Sequence, residues 1–599
     1  MKRMMNLQYS NSKSNILSAD VHVSEGINNV VIIPREKSDR YSLRSALRTA
    51  FPKVTFFMSN GGISLNSQDA LLLMENPPGI NLQWSLGAKQ FVEKRAEIRS
   101  VYAEVKKTVD DLIEKGKSLA EGMLNGIDIS SLDSHQVVNV AAMTVSNGFG
   151  LCVFDEQGAG KTVTTIFAYD VLVERDQIDI ALIIAPKSMV GEWPKDIKRF
   201  KGDLYKVTTI NGTSAQKRAA LSSGADIFIT NYETTVNMEA ELTTLLRRYR
   251  GRAVLVVDES YFIKNRDSKR TQSLRRLREW SGRAFVLCGT PAPNSPVDLV
   301  EQFNLVDMGV TFENVKLPDD RAEALPIVRR AINERGLYVR HLKQDVLPDL
   351  PEKRFHTVYV PLAEKQREIY LKVLQGYVKD LSSTNDESFK KQLGHFLAQR
   401  SALLQICSNP TSVVSDYQET PAKLLVLDDI LDDLIRVKGE KVVLWSYYRT
   451  SLDALVKRYK KYHLVRYDGT VSSVEERQQA VNMFQDDPSV SLFIGNAAAA
   501  GAGLTLHRAR FTIYESFSDQ AAHYLQSLDR THRRGQDRDV EYIILLADET
   551  IEIKQYQTLQ SKQNAARDLL GDNVKESPTR DLLLNEAIEA AKVLNLDII

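Results

Sequence analysis

Short apolar runs rich in valine and isoleucine alternate with longer amphipathic stretches between about Leu132 and Arg510. This alternation of strand-length and helix-length segments predicts a parallel α/β architecture. A long helical interval divides the apolar runs into two sets, so we expect two similar α/β lobes. The predicted strands lie at 152–154, 181–185, 226–230, 254–257 and 284–287 in the first lobe and at 441–446, 464–467, 491–494 and 511–514 in the second.

The segments around these lobes follow other patterns. A strand-like piece at 30–33 precedes a charged helix at about 90–116, which predicts a small α+β domain at the N-terminus. Residues 364–381 and 388–405 have helical spacing and predict a helical insertion, and an amphipathic tail at 582–594 is expected to pack on the second lobe. The predicted division is 1–130 for the N-terminal accessory domain, 131–312 for the first lobe, 313–420 for the helical linker, 421–565 for the second lobe and 566–599 for the helical tail.

Composition narrows the class of protein. The 599 residues suffice for three or four domains, and 43% apolar residues, 26% charged residues and a formal charge of +1 are typical of a soluble globular chain. Without a global excess of basic residues, any DNA-binding surface must be local. Cys152, Cys288 and Cys407 lack metal-site spacing and indicate reduced core thiols without structural zinc. We expect neither a signal peptide nor a membrane span, and a cytoplasmic location.

A glycine-rich loop, DEQGAGKT, runs from Asp155 to Thr162 between a predicted strand and a predicted helix. Gly158 and Gly160 permit the backbone N–H groups to approach phosphate oxygens, Lys161 would neutralise the β and γ phosphates, and the Thr162 hydroxyl would bind Mg²⁺. Asp155 stands where the usual motif has glycine. The alternative is a strand-to-helix turn that carries a solvated lysine.

Two further patterns complete a hydrolytic site. Asp258 and Glu259 end an apolar strand, where Asp258 would hold Mg²⁺ through water and Glu259 would polarise the attacking water, unless the pair is a solvated turn. In the second lobe, Arg530 and Arg533 lie three residues apart, which places them on one face if this segment is helical. Arginine suits phosphate oxygens because its charged fork binds them bidentately. The alternative is a solvated basic helix, which a facing phosphate loop makes the weaker interpretation.

Six segments in order, DEQGAGKT, DESYFIKN, LCGTPAPN, RYDGTVSSVEER, GAGLTLHRA and QSLDRTHRRGQ, resemble those of the Swi/Snf-type helicase-like ATPases of superfamily two. The resemblance covers about Leu132 to Lys562. It implies two RecA-like lobes, ATP and Mg²⁺ as cofactors, and a DNA-dependent ATPase that tracks along duplex DNA. Three positions depart from the family pattern: Tyr261 replaces the usual histidine, Ala159 a leucine and Arg534 an isoleucine.

The resemblance also implies roles for individual residues. Lys161, Asp258, Glu259 and the arginine fingers Arg530 and Arg533 would be catalytic. Nucleotide binding is expected from Gln136, which would read the adenine, and from Gly158, Gly160, Lys161, Thr162, Gly503 and Gln526. Thr162 and Asp258 would bind the metal, and the DNA contacts would come from Lys187, Ser188, Thr230, Asn231 and Thr505.

Three functions fit this reading of the chain. The preferred one is an ATP-dependent translocase that moves along or remodels duplex DNA or protein–DNA complexes. A strand-separating or annealing helicase shares the same motifs, and a nucleotide-gated DNA-binding scaffold with little turnover is the non-enzymatic alternative. We expect a monomer of a compact bacterial or viral type, with DNA as partner and residues 1–130 available to a protein partner.

Overall fold

The computed structural model describes residues 17–23, 29–51, 57–59, 62–77, 79–289, 291–292, 296–313, 315–318, 320–347, 349–471, 474–499, 504–567 and 580–594. Within these residues the strands form three sheets, one in the N-terminal region and one in each of two α/β lobes. The predicted architecture of two RecA-like lobes behind a small α+β domain is therefore confirmed. Among the described segments, none of the helices combines the length and apolarity that crossing a bilayer requires.

The N-terminal domain is a mixed sheet with strand order β3-β4-β2-β1-β5, covered by helices. Its strands are β1 (Ser18–Val23), β2 (Asn29–Pro34), β3 (Phe57–Ser59), β4 (Gly62–Asn66) and β5 (Asn81–Trp84). Its helices are α1 (Arg40–Ala50), α2 (Ser67–Glu75), α3 (Leu86–Lys115) and α4 (Lys117–Met123).

The long helix α3 joins this domain to the first lobe. Its Arg95 is buried and donates from Nη2 to the Gly309 carbonyl oxygen at 3.0 Å. About two helical turns further on, the Tyr102 hydroxyl lies 3.0 Å from Thr311 Oγ1 and 3.3 Å from Asp307 Oδ2. The apolar face of α3 also belongs to the same buried cluster as the first-lobe helices beside it. The N-terminal domain therefore braces the first lobe.

The first lobe is built on a parallel sheet with strand order β12-β6-β11-β10-β7-β9-β8. Its strands are β6 (Gly150–Val153), β7 (Ile180–Ala185), β8 (Val207–Thr209), β9 (Ile227–Asn231), β10 (Ala253–Asp258), β11 (Arg283–Leu287) and β12 (Tyr338–Val339). Its helices are α5 (Ser134–Met143), α6 (Lys161–Glu174), α7 (Glu192–Lys201), α8 (Ser214–Leu221), α9 (Tyr232–Asn237), α10 (Glu239–Arg248), α11 (Lys269–Arg278), α12 (Val300–Asp307), α13 (Arg321–Arg335) and α14 (Lys343–Val346).

The second lobe repeats this plan with strand order β13-β18-β17-β14-β16-β15, again parallel. Its strands are β13 (Lys353–Val360), β14 (Val442–Trp445), β15 (Leu464–Tyr467), β16 (Leu492–Gly495), β17 (Phe511–Tyr514) and β18 (Val540–Ala547). The helices that follow β13 are α15 (Glu364–Ser383), α16 (Asp386–Ser408), α17 (Ala422–Leu431), α18 (Arg449–Arg458), α19 (Val474–Asp486), α20 (Ala521–Thr531), α21 (Ile551–Arg567) and α22 (Arg580–Val593).

Two features of the linker and tail differ from expectation. The segment 313–420 is not entirely helical, because β12 extends the first sheet and β13 forms an edge of the second. The tail helix α22 packs chiefly on α15 of the helical insertion, and Arg400 Nε of α16 lies 2.8 Å from Glu586 Oε2. The prediction that the tail packs on the second lobe is therefore wrong in its main contact, since its apolar face matches that of the two insertion helices.

Candidate active site

The glycine-rich loop leaves the carboxyl end of β6 and enters α6 at Lys161. Gly158 and Gly160 have φ angles of 88° and 93°, in the left-handed region that favours glycine. A Cβ on Gly160 would lie 2.2 Å from Gln136 Nε2, so this position also lacks space for a side chain. Lys161 is buried, and its Nζ donates to the Asp155 carbonyl oxygen at 2.9 Å. The ammonium group thus lies inside the glycine-rich loop, where it was predicted to neutralise phosphates.

Asp155, the departure from the usual motif, anchors this loop. Its buried carboxylate accepts hydrogen bonds from the His341 backbone N–H at 2.9 Å and from Asn139 Nδ2 at 2.5 Å. The His341 ring nitrogen Nδ1 lies 2.9 Å from the same carboxylate. Since Asn139 belongs to α5 and His341 follows β12, the side chain fixes the loop to two separate parts of the first lobe.

The remaining nucleotide-site residues of the first lobe surround the loop. Gln136 is buried at the third position of α5, where its Oε1 accepts from the Asp133 backbone N–H at 3.0 Å and its Nε2 donates to the Ala159 carbonyl oxygen at 3.1 Å. Thr162 is half-buried in the first turn of α6. The structure brings both residues to the loop, and their roles toward adenine and Mg²⁺ stay predictions.

The acidic pair lies on a neighbouring strand of the same sheet edge. Asp258 ends β10, and its Oδ2 accepts from Trp193 Nε1 at 3.1 Å. Glu259 follows in the left-handed region with φ 51°, a conformation that costs a residue with a Cβ about 1–2 kcal/mol. Its Oε1 accepts from Gln157 Nε2 at 2.6 Å, whereas its Oε2 is buried without a hydrogen-bond partner among the described residues. Strain and an unpaired acceptor together indicate a functional position.

Burial changes the pKa of Asp258, the first residue of this pair. Removal from water, and then the negative charge of Glu259, raise the pKa of Asp258 to about 7. Trp193 and Lys161 act in the opposite direction and only in part. The pair is therefore short of positive charge, which fits a divalent cation, and carboxylate and hydroxyl oxygens are ligands that Mg²⁺ accepts.

Arg530 and Arg533 come from the second lobe. Arg530 lies in the last turn of α20, whereas Arg533 follows the end of the helix at Thr531, so the prediction that both share a helix face is wrong. Arg530 is 2% exposed and donates from Nη1 to the Leu504 carbonyl oxygen at 3.3 Å. Its Nε and Nη2 are buried without partners among the described residues, and burial followed by the charge of Arg533 lowers its pKa to about 10. Arg533 donates to the Thr505 hydroxyl, and burial lowers its pKa as well.

The two lobes meet at these groups. A Cβ built on Gly158 would lie 3.7 Å from Arg533 Cγ, so the arginine faces the glycine-rich loop directly. Gln526 of α20 donates from Nε2 to the Tyr261 hydroxyl of the first lobe at 3.4 Å. The predicted acidic, lysine and arginine groups therefore converge on one cleft, although they come from both halves of the chain.

The predicted DNA contacts separate into different environments. Lys187 is exposed beyond β7, Ser188 is half-buried beside it, and Asn231 caps α9 by accepting from the Thr234 backbone N–H at 2.9 Å. Thr230 is a correction, because its side chain is 0% exposed and its hydroxyl donates to the Ile210 carbonyl oxygen, which leaves no surface for DNA.

The loop before the second-lobe site holds two more predicted residues. Thr505 accepts the hydrogen bond of Arg533, so its hydroxyl lies at the cleft, and its DNA contact stays a prediction. Gly503, predicted to bind nucleotide, lies outside the described residues.

A groove of about 650 Å³ opens at the carboxyl edge of the first-lobe sheet, on the side of β7 and β9. Three basic residues contribute to its wall against one acid, Glu233, which is paired with Arg270 at 2.7 Å. Its lining is Pro186, Lys187, Asn211, Gly212, Lys217, Asn231, Tyr232, Glu233, Thr234, Asn237, Phe262 and Arg270. Sequence reasoning missed Lys217 and Arg270 because isolated basic residues on helices carry no motif.

Other residues of the cleft were missed as well. Gln157 holds Glu259, and Trp193 holds Asp258. Gln302 accepts from Ser260 Oγ at 2.6 Å and donates to the Pro291 carbonyl oxygen at 2.5 Å, which connects the acidic strand end to the loop after β11. Gln157 lies within the glycine-rich motif, whereas Trp193 and Gln302 have no local signal because their partners are distant along the chain.

Two models of known protein families match successive parts of the chain. The model of the SNF2-related domain matches residues 133–412, and that of the helicase conserved C-terminal domain matches residues 422–535. The chain is 26% identical to the ISWI chromatin-remodeling complex ATPase ISW1 of Saccharomyces cerevisiae, over 70% of this chain and 38% of that protein. It is 27% identical to the human SWI/SNF-related matrix-associated actin-dependent regulator of chromatin subfamily A member 1, over 68% of this chain and 40% of that protein.

The fold, the cleft and these matches define a helicase-like ATPase with two lobes. The chain belongs to the SNF2-related family, as the resemblance implied. It spans about two fifths of the length of the curated relatives that it matches. Among solved structures, the Sulfolobus solfataricus SWI2/SNF2 ATPase core in complex with dsDNA aligns with 78% of this chain and 97% of that chain at 22% identity, with a TM-score of 0.34.

Proposed function

We propose that the protein is an ATP-dependent translocase on double-stranded DNA, with ATP and Mg²⁺ bound in the cleft between its lobes. One observation carries the proposal. Glu259 from the first lobe has a buried acceptor atom without a partner, and Arg530 from the second has buried donor groups without partners, among the described residues. Buried polar groups are normally satisfied, so these groups are suited to a ligand that accepts from the arginine and offers a proton to the glutamate.

The first lobe would bind the nucleotide and carry out the proton chemistry. The backbone around Gly158 and Gly160 and the Lys161 ammonium would contact the phosphates, and Gln136 the adenine. Thr162 and Asp258 would hold Mg²⁺, which would supply positive charge beside the β and γ phosphates when bound. Glu259 would orient the attacking water and draw off its proton, in the position that Gln157 fixes.

The second lobe would complete the site. Arg530 and Arg533 would contact the γ-phosphate, where their guanidinium groups offset the charge that develops as the terminal phosphoryl group is transferred. Gln526 would close the cleft against Tyr261. Because the acids and the arginines lie on separate lobes, nucleotide binding would favour the closed arrangement and product release would favour opening. This cycle would shift one lobe relative to the other along the DNA.

The basic groove of the first lobe would contact the sugar–phosphate backbone of one strand. Lys187 is exposed, Lys217 and Arg270 line the same wall, and Asn231 lies between them at the end of β9. Lysine and arginine supply most of the sequence-independent affinity for nucleic acid. Duplex DNA is the partner that the resemblance of the six motifs implies, and we extend it to this chain as a proposal.

Steady-state ATP hydrolysis with and without duplex DNA, alongside displacement of the third strand of a DNA triplex, tests this function. We expect duplex DNA to stimulate hydrolysis and the purified protein to displace the third strand while ATP is consumed. Glu259→Gln is the matched control, since it preserves the shape of the side chain and removes the base.

The same assays, together with unwinding of a forked duplex, distinguish the strand-separating helicase and the nucleotide-gated scaffold from a translocase. Unwinding of a forked duplex without triplex displacement would replace translocation on duplex DNA by strand separation. DNA binding with no ATP turnover above that of Glu259→Gln would replace the enzyme by a nucleotide-gated scaffold. Either result contradicts the proposal.

A further inference from the structure

A buried ion cluster lies directly beside the two arginines. Asp529, the residue before Arg530, has its Oδ1 atom 2.8 Å from Lys343 Nζ and 3.0 Å from Lys353 Nζ. Lys343 also donates to the His532 carbonyl oxygen at 3.1 Å. Lys343 is 3% exposed, so this is an interior contact and not a surface ion pair. Neither lysine entered the nucleotide site predicted from the sequence.

The two lysines belong to different lobes. Lys343 is fixed to the glycine-rich loop, because its backbone N–H donates to Glu156 Oε2 at 2.8 Å and the Glu156 N–H donates to the His341 carbonyl oxygen at 2.9 Å. Lys353 begins β13 and pairs with Val540 in the second-lobe sheet. The chain therefore crosses from the first lobe to the second between the two lysines. Of the two contacts that Asp529 makes with lysines, the one with Lys343 spans the cleft.

The contacts of Lys343 hold the residues that directly precede the two arginines. Lys343 contacts the Asp529 carboxylate in α20, just before Arg530, and the His532 carbonyl oxygen directly after the helix, just before Arg533. On the other side, a Cβ on Gly158 would lie 3.1 Å from Lys343 Cε, so the lysine stem packs over the loop. One side chain thus touches both halves of the proposed site.

We propose that Lys343 is a positioning residue for ATP hydrolysis, which sets Arg530 and Arg533 at the correct distance from the phosphates held by the glycine-rich loop. This role rests on the proposed function of the cleft. Lys343 itself does not reach the reacting atoms. It acts by fixing the end of α20 against the loop when the lobes close.

Lys353 would keep the Asp529 carboxylate paired when the cleft opens, so opening would not leave a buried charge without a partner. Burial raises the pKa of Asp529, but Lys343 and Lys353 together bring it below its ordinary value, so the carboxylate is charged. When Lys343 withdraws with the first lobe, Lys353 stays with Asp529 inside the second. Burial lowers the pKa of Lys343 to about 8, because the charged ammonium loses hydration in this contact. The contact therefore fixes geometry more than it adds stability.

Three variants separate this role from a structural one. Lys343→Met removes the cross-cleft contact with little change in volume and leaves Asp529 paired with Lys353, so the protein is expected to fold. Lys353→Met removes a charge from the same carboxylate without touching the cleft and is the matched control. Lys343→Arg keeps the charge and tests rescue.

We expect Lys343→Met to lower kcat for DNA-stimulated ATP hydrolysis by about tenfold to a hundredfold, as misplacement of a reacting group does. KM for ATP should change by less than about twofold, because the loop that binds the phosphates is intact. Lys343→Arg should recover part of kcat, and Lys353→Met should stay within about twofold of the unsubstituted protein. Equal losses in Lys343→Met and Lys353→Met would overturn the proposal.

A second readout does not depend on turnover. Fluorescent labels on Ser222→Cys and Lys457→Cys, both exposed and on different lobes, report cleft closure, and the native cysteines are buried. With a non-hydrolysable ATP analogue and Mg²⁺, the parent and Lys353→Met should close, and Lys343→Met should close less fully. If the parent does not hydrolyse ATP, the proposed function fails, whereas this distance still shows whether Lys343 fixes the end of α20 against the loop. Closure of Lys343→Met equal to that of the parent would overturn it.

Discussion

The glycine-rich loop and the arginine helix α20 form opposite sides of one cleft, yet they are held in different ways. In the loop, Lys161 donates to the Asp155 carbonyl oxygen, and the Asp155 carboxylate is held by other first-lobe groups. In α20, Arg530 has unpartnered donor groups among the described residues, and the end of the helix is held by Lys343 from across the cleft. The loop is held by groups of its own lobe, whereas the end of the arginine helix is held by groups of both lobes.

The electrostatics of the two sides are complementary. Burial raises the pKa of Asp258 to about 7 and lowers the pKa of Arg530 to about 10, so each side disfavours its own charged form. A ligand with phosphate groups and a divalent cation would relieve both. The two sides therefore suit the opposite charges that the proposed ligands, Mg²⁺ and the nucleotide phosphates, would bring.

The largest effect is expected from the first-lobe side. Glu259→Gln should lower ATP turnover by about 10²–10⁴-fold, the usual contribution of a general base, and leave nucleotide binding intact. Steady-state hydrolysis and binding of a fluorescent ATP analogue measure the two properties separately. Glu121→Gln, at an exposed glutamate of the N-terminal domain, is the control. Turnover by Glu259→Gln at the parent rate would remove Glu259 from the chemistry.

A smaller effect tests whether the loop also positions the base. Gln157→Leu removes the hydrogen bond to Glu259 Oε1 at 2.6 Å, so the carboxylate loses its fixed orientation. We expect kcat to fall about tenfold with KM for ATP nearly unchanged. If KM rises and kcat stays constant, Gln157 contributes to nucleotide binding and not to orientation.

Removal of charge from the groove should weaken DNA binding without changing the cleft. Lys187→Gln combined with Lys217→Gln removes two cations, so the slope of log affinity against log salt should become shallower by about two. Titration of labelled duplex DNA at several salt concentrations measures the slope. Lys457→Gln removes an exposed charge from the second lobe and should leave it unchanged. An unaltered slope in the double variant would place the DNA elsewhere.

The smallest effect concerns the brace between the N-terminal domain and the first lobe. Tyr102→Phe removes a buried hydroxyl that contacts Thr311 and Asp307, which should cost about 1–3 kcal/mol of local stability. Hydrogen exchange of α3 amides should become faster, and ATP turnover should stay close to that of the parent. Tyr41→Phe, at a tyrosine that is 77% exposed, should leave the exchange rates unchanged. Unchanged protection of α3 in Tyr102→Phe would show that the apolar face alone holds the domain.

Much of the fold follows from local pattern. The interior strands β7 and β10 were predicted at 181–185 and 254–257 and are observed at Ile180–Ala185 and Ala253–Asp258, because continuous apolar runs mark strands buried on both faces. The edge strand β13 has mostly exposed side chains and so lacks that signal, although it spans Lys353–Val360. The packing partner of α22 could not be read from its amphipathic pattern, because the pattern shows which face is buried and not against what.

The candidate site also combines residues that the sequence predicted with residues that it did not. Motifs identified the residues on both sides of the cleft because phosphate chemistry requires glycine, lysine, acid and arginine at fixed spacing. The side chains that orient them were not predictable. Gln157 and Glu259 are 102 positions apart, and Lys343 and Asp529 are 186 positions apart, so only the folded chain brings each pair together. Thr230 was misassigned because the sequence marks the end of β9 but not the direction in which its side chain points.

The claim that one ATP site is shared by two lobes is tested most directly by comparing Arg533→Ala with Arg534→Ala. Arg533 is half-buried and lies against the glycine-rich loop, whereas the adjacent Arg534 has a side chain that is 64% exposed. DNA-stimulated ATP hydrolysis at saturating ATP should fall by about 10³-fold or more in Arg533→Ala, in line with the loss of an arginine finger, and stay near the parent rate in Arg534→Ala. Hydrolysis by Arg533→Ala at the parent rate would contradict the shared site.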